Sequence, residues 1–146
     1  MRLNGLYVVA KAAIDKLDDP FVRRYEAAIV LGSLREDVWY LPFGIIYEHL
    51  SFSHFGKPPL PGGFLPLVYP GPRWKGRIFY RRAVAHARRG DHAKAFVQLG
   101  RVVHLLTDMS CPVHVHRTAH LTDPFEWHVE GNKRRLLALP VPEVGE

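Results

Sequence analysis

The chain has a single cysteine, Cys111, among its 146 residues. An intrachain disulfide is therefore excluded, and so is a thiolate-rich structural zinc finger. No stretch reaches the roughly 18 uncharged residues that a bilayer-spanning helix needs. A convincing run of alternating apolar and polar residues is missing, which argues against a strand-built fold. Acidic residues are scarce beside basic ones: 14 Asp+Glu against 20 Lys+Arg give a formal charge of +6 and a pI near 9.7. Such an excess favours anionic partners such as phosphate esters, nucleic acid or acidic lipid headgroups, without choosing among them. With 47% hydrophobic and 23% charged residues the chain is neither disordered nor fibrous. At this length a single domain, 1–146, is expected, able to bury about 70% of the surface its unfolded form exposes.

Leu3, Leu6, Tyr7, Ala10, Ala13, Ile14 and Leu17 recur at three- and four-residue steps and predict an amphipathic first helix. Its apolar run is interrupted at Lys11 and no small-residue cleavage site follows, so it does not read as a signal peptide. A cytoplasmic protein is expected from the chain as it stands, and a secreted one if a leader precedes it. Asp18-Asp19-Pro20 ends this helix, and Asp19 ahead of Pro20 starts a second, expected to run to about Leu34 and to bury Phe21, Tyr25, Ala28, Ile29 and Leu31. From Asp37 to about Arg73 proline and glycine are dense, which predicts an ordered covering loop rich in aromatics. A helix from Arg73 to about Arg89, with Trp74, Ile78, Phe79, Ala83 and Val84 inward, is capped by Gly90. Asp91 is expected to cap the next helix, which reaches Met109 with Ala95, Phe96, Leu99, Val102, Val103 and Leu106 on its apolar stripe. A last helix is predicted from Asp123-Pro124, carrying Phe125, Val129 and Leu136. The fold class is all-α, a helical bundle with one long loop.

The residues able to do chemistry cluster late in the chain. His104 and Asp108, four apart on the strongest helix, share a face, as two ligands of one metal ion must. Against a core such groups are costly unless paired or coordinated. Pro112 breaks the helix, and beyond it come His114, His120 and Glu126, completing five nitrogen and oxygen donors in one stretch. Imidazole and carboxylate without thiolate suit zinc, iron or manganese. His116 and His128 compete for the same roles. Upstream, Glu36 and Asp37 follow the second helix and His54 lies in the loop; alone, the acids read as a solvated helix end and the histidine as incidental.

In order along the chain, Asp37 at a helix end, His54-Phe55, His104-x-x-x-Asp108, Pro112-x-His114 and Phe125-Glu126-x-x-Val129 together resemble the zinc-dependent phospholipase C and single-strand nuclease superfamily. The resemblance covers residues 28–130 and implies a helical fold with a zinc cluster at the bottom of a cleft. It implies that Asp37, His54, His104 and Asp108 ligate one zinc, with Asp108 bridging, and that His114, Glu126 and an intervening histidine ligate another. The family's second histidine falls at Thr122 here, so His120 is the substitute and Asp123 the fallback. The family's third zinc uses an N-terminal tryptophan and a histidine in the first helix. This chain begins Met1-Arg2 and has no histidine before His49, so two zinc ions are expected and the third lacks matching ligands. Family members continue through further helices beyond the glutamate. The shorter bundle here is expected to leave apolar surface exposed and to form a homo-oligomer.

Zinc ions held close together lower the pKa of a bound water and stabilise the charge of a phosphodiester under attack. On this reading Asp37 is the general base. Lys57, Arg73, Lys75 and Arg77 either attract the phosphate or simply solvate the surface. The expected activity is hydrolysis of a phospholipid-like phosphodiester. Single-strand nuclease activity is the first alternative, and a non-catalytic metal-binding helical protein the second. A third reading is a basic helical module binding nucleic acid, with the histidines incidental.

Overall fold

A computed structural model describes residues 3–36, 38–41, 44–47, 72–111 and 124–140. Among these, the chain runs α1 (Leu3–Leu17), α2 (Pro20–Arg24), α3 (Glu26–Arg35), β1 (Val38–Leu41), β2 (Gly44–Tyr47), α4 (Pro72–Arg88), α5 (His92–Ser110), α6 (Pro124–Gly131) and α7 (Lys133–Leu137). The fold is helical, in keeping with the all-α class, with one short hairpin added. β1 and β2 pair antiparallel, Val38 opposite Tyr47 and Leu41 opposite Gly44. The hairpin opens the stretch expected to be a covering loop, of which residues 48–71 lie outside the described residues. Four-residue strands are too short to show a two-residue period, although Val38-Trp39-Tyr40 and Ile45-Ile46-Tyr47 carry the β-branched and aromatic residues that strands favour.

Local chemistry sets the start of α2 and the end of α4. The Asp19 carboxylate accepts hydrogen bonds from the N–H groups of Phe21 (2.7 Å) and Val22 (3.2 Å), with Pro20 in the first turn of α2. Asp19→Ala is expected to lose about 1 kcal/mol, read as a fall of a few degrees in thermal midpoint while Asn at the same position stays near wild type. The end of α4 is a Schellman turn: Gly90 takes φ +78°, its N–H donates to the Ala87 carbonyl, and the Asp91 N–H donates to that of His86. Asp91 does occupy the cap position of α5, but its side chain makes no capping bond and stands instead 3.7 Å from Lys94 Nζ and 3.6 Å from His86 Nδ1.

Two expected helices are broken in the structure. The second gives way at Tyr25, whose backbone (φ −108°, ψ 17°) leaves the helical region, so that α2 ends and α3 begins there. The break serves a ring cluster: Tyr25 stacks on Phe96 (4.8 Å between centroids, 15° between planes), and Phe21 meets Tyr25, His92 and Phe96 at its edges. Phe21 is accordingly only half-buried, and Leu31 faces outward. The last helix breaks at Asn132, whose side-chain amide donates to the His128 carbonyl at 2.8 Å and competes with the helical ladder.

α5 is the central element, packed on α3 along one side and on α4 along the other; α1 lies against α3 and is also contacted by α6 and α7. The core gathers Leu6, Ile14, Ile29, Phe79, Ala83, Ala95 and Leu105. Trp74 and Leu106, both expected inside, are more than half exposed. Where α3 crosses α5, Gly32 meets Gly100. A Cβ on Gly32 would stand 2.1 Å from the Val97 carbonyl oxygen, and a Cβ on Gly100 2.1 Å from that of Ile29. Only glycine permits this backbone-to-backbone approach, in which Cα hydrogens face carbonyl oxygens.

Candidate metal-ligating pair at the α3–α5 crossing

The glycine crossing determines what the next turn of α5 meets. One turn beyond Gly100, His104 is drawn against the C-terminal end of α3, and its Nδ1 lies 2.7 Å from the backbone carbonyl of Ser33. Ser33 is in the last turn of α3, where carbonyls lack an intrahelical donor. The negative end of the helix dipole also favours a cation there. One turn further along α5, Asp108 places Oδ2 2.9 Å from His104 Nε2. Both side chains are fully buried.

This geometry constrains charge. A carbonyl can only accept, so Nδ1 carries a proton and donates it to Ser33. Nε2 then faces a carboxylate oxygen, a second acceptor, and a neutral imidazole has no second N–H to offer. A proton shared between Nε2 and Oδ2, or a metal cation in its place, must reconcile the two. Metal-ligating histidines characteristically donate their other ring N–H to a backbone carbonyl, the role Ser33 fills. The donor types therefore fit a divalent cation. His104 Nε2 and Asp108 Oδ2 are the atoms that would hold it, in place of their present contact. Among the described residues no group of three or more His, Cys, Asp or Glu side chains could hold a metal ion. Asp37, His54, His114, His120, His116 and Asp123 lie outside the described residues, as does the side chain of Glu126, whose backbone is in α6. His128 is exposed on the same helix. Of the expected ligand set, the structure thus brings together His104 and Asp108.

Beside this pair lies a charge cluster that the sequence reading missed. Glu36, expected at a solvated helix end, is buried and accepts from Lys75 Nζ and Arg101 Nε, each at 2.7 Å. Burial works against its charge, but Lys75 and Arg101 outweigh that effect and hold the carboxyl below its ordinary range. The Arg101 guanidinium also sits 3.7 Å from the centre of the Phe79 ring. Lys75, an expected phosphate attractor, is thereby committed to the interior, whereas Arg73 and Arg77 are exposed and Lys57 lies outside the described residues. No local spacing could have revealed a cluster whose members come from three separate helix regions.

Buried at the end of α5, Cys111 donates its backbone N–H to the Asp108 carbonyl at 3.0 Å, so the turn after the helix is anchored to the residue that faces His104. Comparison with family models, with curated proteins and with solved structures finds no match to this chain.

Proposed function

We propose that the chain is a zinc-dependent phosphodiesterase acting on a phospholipid-like phosphodiester. The observation that carries the reading is the buried His104–Asp108 pair, with Nδ1 committed to Ser33 and Nε2 turned to a carboxylate. In this reading His104 and Asp108 supply two ligands of one zinc, and Asp37 and His54 join them from outside the described residues. His114, His120 and Glu126 serve a second ion. Bound zinc would supply an activated water and charge stabilisation at phosphorus. Ser33 fixes the His104 ring through Nδ1, the α3 terminus stabilises positive charge beside it, and Asp37 accepts a proton as general base.

The complete burial of the pair favours a second reading, a metal that staples helices without turnover, since catalytic zinc needs an open coordination position. Elemental analysis of the purified protein, with turnover of bis(p-nitrophenyl) phosphate and phosphatidylcholine, separates the two. The expected result is about two zinc ions per chain and hydrolysis of both esters, with Asp108→Asn losing metal and at least about a hundredfold in rate. Protein that retains no metal from zinc-supplemented buffer overturns both readings. Metal without hydrolysis leaves the staple, and preference for single-stranded DNA over phosphatidylcholine moves the activity to the nuclease class.

A further inference from the structure

We propose that the exposed face of α4, with the groove between α4 and α5, docks on an anionic phospholipid surface. From Pro72 to Gly90 the chain carries Arg73, Lys75, Arg77, Arg81, Arg82, Arg88 and Arg89 and no carboxylate. Lys75 is turned inward to Glu36. Among the described residues Arg73, Arg77, Arg81, Arg82 and Arg88 form no ion pair, and all five are exposed. At 3.6 residues per turn, Arg73, Arg77, Arg81 and Arg88 fall on one arc of α4, with Tyr80 at one edge and Trp74 at the other, about 120° in all. Both aromatics are more than half exposed, 57% and 55%.

Beside this arc an open hollow of about 360 Å³ runs between the two helices. Arg73, Arg77 and Arg81 stand along it, while Leu105, Leu106 and Met109 of α5 provide an aliphatic wall, with Leu106 54% exposed. The combination fixes the class of partner. A basic helical face calls for a surface of negative charge, and unpaired arginines give it charge complementarity. Their stems can lie over apolar surface while the guanidinium groups reach outward. Trp and Tyr flanking such a face are the residues that settle at headgroup level. The wall of Leu105, Leu106 and Met109 behind the arginines suits acyl chains; among the lining residues Tyr80 is the one aromatic ring, where a single strand of nucleic acid calls for a series of rings under successive bases. This surface is independent of the metal site, and its test needs no turnover.

The test is co-sedimentation of the full chain with sucrose-loaded vesicles of phosphatidylglycerol and phosphatidylcholine, against vesicles of phosphatidylcholine alone, at low and moderate salt. Binding is expected only with the anionic vesicles and should weaken as salt rises. Each basic residue near such a surface contributes roughly fivefold in partitioning, so Arg73→Glu, Arg77→Glu and Arg81→Glu together should lower it at least about a hundredfold. A control with the same change in net charge, Arg24→Glu, Arg35→Glu and Arg134→Glu, lies on other helices and should retain most binding. Should the triple glutamate variant fail to fold by circular dichroism, Arg77→Ala with Arg81→Ala replaces it, with an expected loss of roughly twentyfold. The proposal is overturned by wild-type protein that ignores anionic vesicles, by equal losses in the two charge-reversed sets, or by single-stranded DNA binding that the α4 substitutions abolish while vesicle binding is absent.

Discussion

Replacing Gly32 with alanine is expected to remove about 3 kcal/mol of stability, the upper part of the range for overpacking a tight contact. For a domain of this size that corresponds to roughly a 10 °C fall in thermal midpoint. The added methyl would stand 2.1 Å from a backbone carbonyl oxygen, not from a flexible side chain, so one helix as a whole must move. Gly100→Ala meets the same obstacle from the other side, against Ile29. The displacement also reaches His104, whose bond to the Ser33 carbonyl depends on how closely α3 lies on α5. Gly76→Ala provides the contrast: a Cβ there would make ordinary contact, 3.9 Å from Leu105 Cδ1. With no clash, the helix-propensity gain should stabilise the protein by about 0.5–1 kcal/mol. Thermal unfolding of the three variants checks the assignment. If Gly32→Ala melts within a degree or two of wild type, the helices do not cross as closely as described.

The second large effect concerns Glu36. Removing one member of a buried ion pair commonly costs 3–5 kcal/mol, because the charge left behind is stranded. Lys75 and Arg101 retain some access to water, so Glu36→Gln is expected to cost about 2 kcal/mol, less than that range. The pH dependence has a definite sign. The folded carboxyl titrates below its ordinary value of 4.5, so the folded state binds its proton less readily than the unfolded chain does. The stabilisation is complete above that value and is lost as pH falls through the lower, folded one. Wild-type and Glu36→Gln melting temperatures should therefore differ most at neutral pH and converge in acid. A difference that stays constant from pH 7 to pH 3 would show that the carboxylate's charge contributes nothing.

The residues most readable from sequence are those governed by their near neighbours. The periodicity of 95, 96, 99, 102, 103 and 106, bounded by Asp91 and Pro112, locates α5 to within a residue at each end, and Gly90 announces the turn that closes α4. Which part of a stripe is covered was less accessible, because coverage depends on partners that periodicity does not name; Leu106 and Trp74 fit the apolar pattern and still face outward. Tyr25 could not be recognised as a break, since nothing nearby in the chain announces its stack on Phe96, which is contributed by another helix. The candidate site divides in the same way. His104 and Asp108 were visible as an i, i+4 pair, but the group that orients His104 is a backbone carbonyl 71 positions away, and carbonyls leave no mark in a sequence. The crossing does leave a mark in the sequence: Gly32 and Gly100 each interrupt an otherwise good helical segment, which often marks close backbone approach.

The position of α1 bears on how the protein is made. Its inner side rests on α3, but α6 and α7 also hold it, with the Lys133 ammonium 4.0 Å from the centre of the Tyr7 ring. α1 is therefore partnered in part by helices that leave the ribosome well after it. The α3–α5 and α4–α5 pairs can assemble during synthesis, whereas closure over α1 must wait until α6 and α7 emerge, so a nascent chain stalled before them would present Tyr7 and its neighbours to chaperones.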